Sequence, residues 1–438
     1  MSLDYDTLVV LVACVTAMAC ALPGVFLVVR GMGLMGEAIS HAVLPGIAVG
    51  FLISGTRDSV WMFAGAAIAG ILVAMLTQVL HRIANVDRGA AMGTAFTVFF
   101  ALGLVLMVQL ADTVNIDPHT VLYGALELTP LDTVAIFGMH LPRAMGPICV
   151  VLTCSIVTFA VLWKELRIAC FDPALAQTLG MRPELMHQIV MVLTAATCVA
   201  CFEAVGSVMT VTFIVAPAAT ALLLSRSLSV VVGIALVLGV ITAIAGHWAA
   251  LHVPELFLGE GFDTSSSGAM AFVSGVVFVM ALLCAPRRGV IARRLALRRL
   301  VFDVAIEDAL GLIYRLEESN VEQTANQIPQ LLARDVRVGP RRVQRVLSTL
   351  TRRGLAVVEH GVWSLTHEGH AAAAGLVRAH RLWETYLAAT VDVPASHLHT
   401  AAERLEHVTT EALAKKLADA TGDAAIDPHG RAIPPESE

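Results

Sequence analysis

Glu37 and His41 stand four residues apart in "MGLMGEAISHAVLPG", residues 32–46, a stretch otherwise apolar enough to sit inside a membrane. That spacing puts both side chains on one face of a helix, one turn apart. Ionisable groups at membrane depth are costly unless they meet a cavity, a partner or a substrate. A carboxylate beside a neutral imidazole makes half of a site for Mn²⁺, Zn²⁺ or Fe²⁺. A pair that merely neutralises itself inside a bundle fits the spacing equally well. Glu203 and His247 are weaker candidates for the same pathway, each near the end of an apolar run. A second constellation lies in the polar part of the chain. In "HTAAERLEHVTTEAL", Glu403, Glu406 and His407 fall within an arc of about 100° on one helix, as in a metal-binding face. The competing reading is a solvated acidic helix kept for dimerisation.

These two sets of residues need different scaffolds. Of 438 residues, 57% are hydrophobic and 15% charged, and the mean hydropathy of +0.76 excludes an ordinary soluble globular protein. Nine of the 29 Lys and Arg residues precede Pro286 and twenty follow it, so an apolar body meets a polar tail there. The expected fold class is an all-α polytopic membrane bundle over 1–286, with a cytoplasmic winged-helix and helical metal-binding region after it. Windows of about 20 residues place nine spans near 8–29, 38–54, 60–80, 93–110, 146–163, 187–204, 207–225, 229–251 and 269–285. The first run is too long for a signal peptide's apolar core and reads as a retained span. Arg and Lys gather in alternate loops, which sets the N-terminus outside and the tail in the cytoplasm. The outer segment 111–145 reads as partly re-entrant. All eight cysteines precede Pro286, and the Cys198–Cys201 CxxC, without a second such pair, reads as packing.

One internal loop is long: "WKELRIACFDPALAQTLGMRPE". Asp172 as N-cap, Pro173 in the first turn, Ala174 to Leu179 as body and Gly180 as the glycine beyond predict a short helix capped at both ends. Such a helix can be pushed as a unit by a cytoplasmic motor; an ordinary connecting helix has the same pattern. After a basic linker, 287–302, the stretch 303–370 has the order of a winged helix. A second helix opens at Gly339-Pro340, and two β-type runs around "LAVVE" and "VWSLT" meet at His360-Gly361. Arg341, Arg342 and Arg345 on that helix suit phosphate and major-groove contact, though the fold serves protein contacts as well. Residues 371–438 read as a helical metal-binding and dimerisation region with a short disordered end.

"RGMGLMGEAISHAVLPGIAVGFLISG" resembles the signature of permease subunits of manganese/zinc/iron ABC transporters, and "VGSVMTVTFIVAPAATALLLSR" and "CAPRRG" resemble two later motifs of that family. The likeness runs over about residues 5–289. It implies Glu37 and His41 as ligands in the membrane pathway, with Glu where Asp is common. It also implies that Asp172 to Gly180 is the coupling helix docking on an ATPase. The tail is similar to iron- and manganese-dependent repressors of the diphtheria-toxin-repressor family over about 303–434. That likeness implies Asp308, His380, Glu403, Glu406 and His407 as ligands, but Gly311 stands where manganese-type members carry a second acid. The family's SH3-like domain is not found here.

Together these resemblances imply a permease subunit importing a divalent metal across a bacterial plasma membrane, manganese first, then iron or zinc. No Walker A sequence occurs in the chain, so a separate ATPase subunit drives transport, and the chain binds no nucleotide. The expected partners are that ATPase, an extracytoplasmic metal-binding protein, a second permease subunit, identical or related, and membrane lipid, with nucleic acid as a remote one. The metal is substrate and, through the tail, regulator. The alternative is a membrane-tethered, metal-responsive DNA-binding regulator. An intramembrane metalloenzyme is disfavoured by the lack of HExxH.

Overall fold

The computed structural model describes residues 4–54, 59–110, 126–136, 139–259, 264–319, 327–335, 339–391 and 395–436. The chain divides into two compact units, Met1–Arg293 and Arg294–Glu438.

The first unit is a helical bundle of α1 (Tyr5–Val29), α2 (Met35–Ser54), α3 (Ser59–Ile83), α4 (Arg88–Leu110), α5 (Met145–Val161), α6 (Trp163–Phe171), α7 (Pro173–Thr178), α8 (Pro183–Leu224), α9 (Leu228–Leu258) and α10 (Ser266–Cys284). Among the described residues eight helical segments are long and apolar enough to cross a membrane, or nine if α5 and α6, bent by 77° at their junction, form one span. The two spans expected at 187–204 and 207–225 are continuous in α8, broken only at Gly206, whose φ of 78° lies outside the helical region. Of the segment read as re-entrant, 111–125 lies outside the described residues. Its remainder forms a 3₁₀ turn at Leu126–Leu131 and a hairpin of β1 (Thr133–Ile136) and β2 (Met139–Pro142).

Hydrophobic driving force is weak between helices in lipid, so close packing of small residues has to hold the bundle. Three close approaches, at two helix crossings, do this. At Gly24 a Cβ would stand 2.1 Å from the Ile214 carbonyl oxygen, so α1 and α8 touch backbone to backbone. Gly46 and Gly65 face each other, and a Cβ on either would meet the other's carbonyl oxygen at 2.2 Å. At Gly50 a Cβ would stand 2.5 Å from the Trp61 carbonyl oxygen. Gly46 and Gly50 form a GxxxG at the end of the Glu37–His41 stretch, a pattern that sequence reading passed over. It locks α2 onto α3.

The second unit starts within α11 (Val290–Glu318). It continues through α12 (Gln327–Asp335), α13 (Pro340–Arg352), the antiparallel β3 (Ala356–Glu359) and β4 (Val362–Leu365), α14 (His367–Thr390), α15 (Ala395–Leu405), a 3₁₀ turn at Glu406–Val408 and α16 (Glu411–Ala420). The wing is as expected: Glu359 pairs with Val362 across His360 and Gly361, both at positive φ. Val343, Val346, Leu347 and Leu350 bury one face of α13 against Ile306, Leu310 and Ile313 of α11. The end of the chain is tied down as far as Pro434. Arg378 donates to the Pro434 carbonyl at 2.6 Å, and Arg381, 2% exposed, grips Glu318 through both carboxylate oxygens and reaches the Ala432 carbonyl. Of the disordered end expected there, 437–438 lie outside the described residues.

Candidate functional site

Helix α2 carries Glu37 in its first turn and His41 one turn on. Ala38, Ile39 and Ala42 are buried on the packed side, whereas Glu37 is exposed and His41 half-buried. The imidazole lies against α4, its ring centroid 5.8 Å from that of Phe96 and 5.3 Å from that of Phe100. The carboxylate is therefore not sealed in the core of one chain. It sits on a surface that a second chain or a passing ion can reach.

The other pathway candidates separate from this pair. The Glu203 side chain lies outside the described residues. His247 is 6% exposed and bonds through Nδ1 to Ser266 Oγ at 3.2 Å, while its Nε2 stands 3.9 Å from Asp6 Oδ1. The Ser266 N–H in turn donates to Glu127 Oε1 at 2.6 Å, so His247 belongs to a polar cluster that ties α1, α9 and α10 together. Of the CxxC, Cys201 lies 3.8 Å from Cys20 of α1, thiol to thiol, and both are fully buried.

The short helix α7 forms with the caps read from sequence. Asp172 accepts the Leu175 N–H at 2.9 Å, Pro173 occupies the first turn, and Gly180 takes a φ of 77°. Ala174, Leu175 and Leu179 are exposed, with Leu175 and Leu179 at 48% and 56%, and Phe171 just before at 61%. Three large apolar side chains on a six-residue helix and its flank form a ready docking surface.

In the second unit the ligand candidates assemble into two clusters, bridged by Glu406 and His380. Asp308, Glu406 and His407 bring donor atoms within 4.8 Å of one another. His407 Nε2 lies 3.1 Å from Asp308 Oδ1 and 3.7 Å from Glu406 Oε1, and its Nδ1 meets Glu307 Oε2 at 2.6 Å. His380 bonds through Nδ1 to the other oxygen of Glu406. Through Nε2 it heads the second cluster, at 3.1 Å from Glu384 Oε1 and 3.0 Å from His399 Nδ1. His399 Nδ1 and Glu384 Oε1 are 2.9 Å apart. Two ligands about 2.1 Å from one metal stand roughly 3.0–3.4 Å apart at octahedral or tetrahedral angles, so the spacing of both clusters suits a first-row ion.

Glu403 does not join them. Helix α15 ends at Leu405, and Glu406 and His407 continue in a 3₁₀ turn. The 3.6-residue period assumed for the arc of Glu403, Glu406 and His407 breaks there, and Glu403 is left exposed. Glu384 and His399 were missed. Glu384 had a legible signal, four residues after His380 on α14; His399 is brought in by α15 and had none.

Electrostatics prime both clusters. Burial disfavours charge on His407, but the hydrogen bonds it donates to Asp308 and Glu307 outweigh it and raise the pKa to about 9. His380 behaves alike: burial opposes the imidazolium, the bonds to Glu384 and Glu406 prevail, and the pKa reaches about 9. Glu384 is held well below the usual carboxylate range against its burial by His380 and His399. The basic face of α13 is available as well, with Arg341 and Arg345 exposed and Arg342 half-buried.

Comparison with known proteins accounts for both units. Residues 366–435 match the iron dependent repressor, metal binding and dimerisation domain. The zinc transport system membrane protein TroD of Treponema pallidum is 36% identical over 82% of this chain and 96% of its own length. The manganese transport system membrane protein MntD of Bacillus subtilis is 35% identical over 67% and 96%. The solved structure of PsaBC from Streptococcus pneumoniae in complex with Fab superposes with a TM-score of 0.53 at 26% identity, over 68% of this chain and 96% of that one. Residues 4–285 match the ABC 3 transport family, and the chain belongs to that family.

Proposed function

We propose that the chain is the membrane-spanning permease subunit of an ABC importer for a divalent first-row metal, with a metal-sensing cytoplasmic tail. Manganese is the first candidate cargo, then iron or zinc, in keeping with relatives named for manganese and for zinc. The observation that carries the reading is the placement of Glu37 and His41. The two stand one turn apart on an apolar helix, with the carboxylate at a surface rather than in the core. Two such surfaces, from a pair of permease subunits, would line one passage. A separate ATPase subunit would dock on Phe171, Leu175 and Leu179 and drive alternating access, and an extracytoplasmic protein would deliver the metal. The orientation follows the positive-inside rule, with the N-terminus outside and the tail in the cytoplasm. Asp308, Glu406 and His407, with His380, Glu384 and His399, would bind cytoplasmic metal and restrain transport as stores fill.

The test is uptake of radiolabelled Mn²⁺, Fe²⁺ and Zn²⁺ by cells carrying the complete transporter, comparing wild type with His41→Ala at matched expression. Loss of ATP-dependent uptake of one metal supports the pathway and identifies the cargo. Unchanged uptake of all three removes His41 from it. The second reading, a membrane-tethered regulator, is favoured only by the exposed Arg341 and Arg345; retention of a specific DNA duplex by the full chain would support it.

A further inference from the structure

A cavity of about 370 Å³ opens where the ends of α1, α2, α3, α6 and α8 meet the start of α7. Its walls are unusual in donor chemistry. Met32, Met35, Met92 and Met191 are buried around it, and Cys170, His187 and Glu184 line it. The Thr77 hydroxyl, on a residue 8% exposed that also lines it, has no hydrogen-bond partner among the described residues. At ~30 Å³ per water molecule, a divalent ion with about six waters fits. Thioether, thiol and imidazole are soft and borderline ligands that suit zinc and iron better than manganese, so the lining favours the later first-row cargoes.

A cation already holds the two best donors. The Arg30 guanidinium donates through Nε to Cys170 Sγ at 3.2 Å and through Nη1 to His187 Nδ1 at 3.0 Å. Arg30 ends α1, Met35 opens α2 two residues before Glu37, and Cys170 comes two residues before Asp172, the N-cap of α7. One contact thus links the helix leading into the ligand pair with the short helix on which a motor would push.

We propose that this cavity is a transit site for the transported cation, ligated by Cys170 and His187 and held shut by the Arg30 side chain. The inference rests on the permease reading. Arg30 stands in for the metal while the pathway is closed. Displacing α7 draws Cys170 from the guanidinium; the metal then bonds to sulfur and imidazole while the thiol proton passes to water. Two like charges cannot share the donors, so passage and closure exclude one another.

The experiment is a Co²⁺ titration of the purified full chain in detergent, read by the thiolate-to-cobalt charge-transfer band. Residues 294–438 contain no sulfur, so the tail cannot produce that band. Arg30→Gln should show the band with affinity raised about tenfold or more over wild type, the scale on which groups next to a metal site act. Arg30→Gln/Cys170→Ser should lose it. A band that survives Cys170→Ser, or none in Arg30→Gln, overturns the proposal. A measurement without substitutions runs beside it: in wild-type chain reconstituted with its ATPase, Co²⁺ with ATP should slow maleimide labelling of Cys170, and an unchanged rate counts against the site. Uptake in vesicles that also carry the second permease subunit and the extracytoplasmic metal-binding protein separates the two readings. No uptake by wild type sinks the permease reading, whereas uptake with Cys170 unprotected sinks this one alone.

Discussion

At the scale of single residues, the tail clusters set a proton against a metal. His380 and His407 each carry a proton up to about pH 9 in the metal-free chain, because carboxylates surround them. A metal must expel these protons, and each one displaced changes apparent affinity about tenfold per pH unit. Mn²⁺ affinity of the full chain should therefore rise steeply from about pH 6 to 8, as measured by calorimetry with proton release in two buffers. Folding stability runs the other way. Both pKa values are raised above the ordinary histidine value, so this contribution is complete below about pH 6.5. It is lost as pH climbs through about 9, and metal-free chain should melt lower there. His399→Gln should weaken metal binding at its cluster about ten- to a hundredfold and leave the Asp308 cluster intact. Glu37 and His41 were legible because their spacing along the helix is a local property. The exposure of Glu37 was not, since it depends on which side of α2 meets α3, α4 and α8. Nor was the turn that carries His407 away from Glu403, because a break in helical period leaves no mark on composition.

At the scale of elements, the best-read piece was the shortest α-helix among the described residues. Asp172, Pro173 and Gly180 act locally, the aspartate side chain accepting the Leu175 N–H and the other two setting φ, so their types specify α7 without any tertiary information. Asp172→Ala should cost about 1 kcal/mol of helix stability and slow metal-stimulated ATP hydrolysis more than it lowers the amount of folded protein. If hydrolysis follows protein level alone, α7 is a connector and no more. The tighter constraint was overlooked. Gly46 and Gly65 leave no room for a Cβ, and Gly46→Ala would force α2 and α3 apart. Overpacking costs about 1–3 kcal/mol, visible as a lower melting temperature in detergent, and it would also shift Glu37 and His41, which ride on the same helix. Helix α8 is the opposite case. Its two spans were read correctly, but their joint at Gly206 showed only as an unremarked glycine among apolar residues.

At the scale of the molecule, the uneven distribution of Lys and Arg was enough to divide the chain near Pro286, close to the boundary between the two compact units after Arg293. Joining a permease to a repressor-like domain in one polypeptide fixes their ratio at one to one. Removing residues 300–438 should leave uptake in metal-poor cells intact and abolish its decline as cytoplasmic metal rises. Uptake that remains equally sensitive to metal without the tail rules out the brake. The two units also differ in an elemental way: every cysteine and methionine precedes residue 285, and the tail clusters are built from nitrogen and oxygen alone. Peroxide attacks sulfur first, through thiols and thioethers. Under oxidative stress the membrane half is therefore the vulnerable one, and the proposed sensor would keep its candidate ligands. A cell that needs more manganese or less iron in such conditions would still be reading its stores with an undamaged gauge.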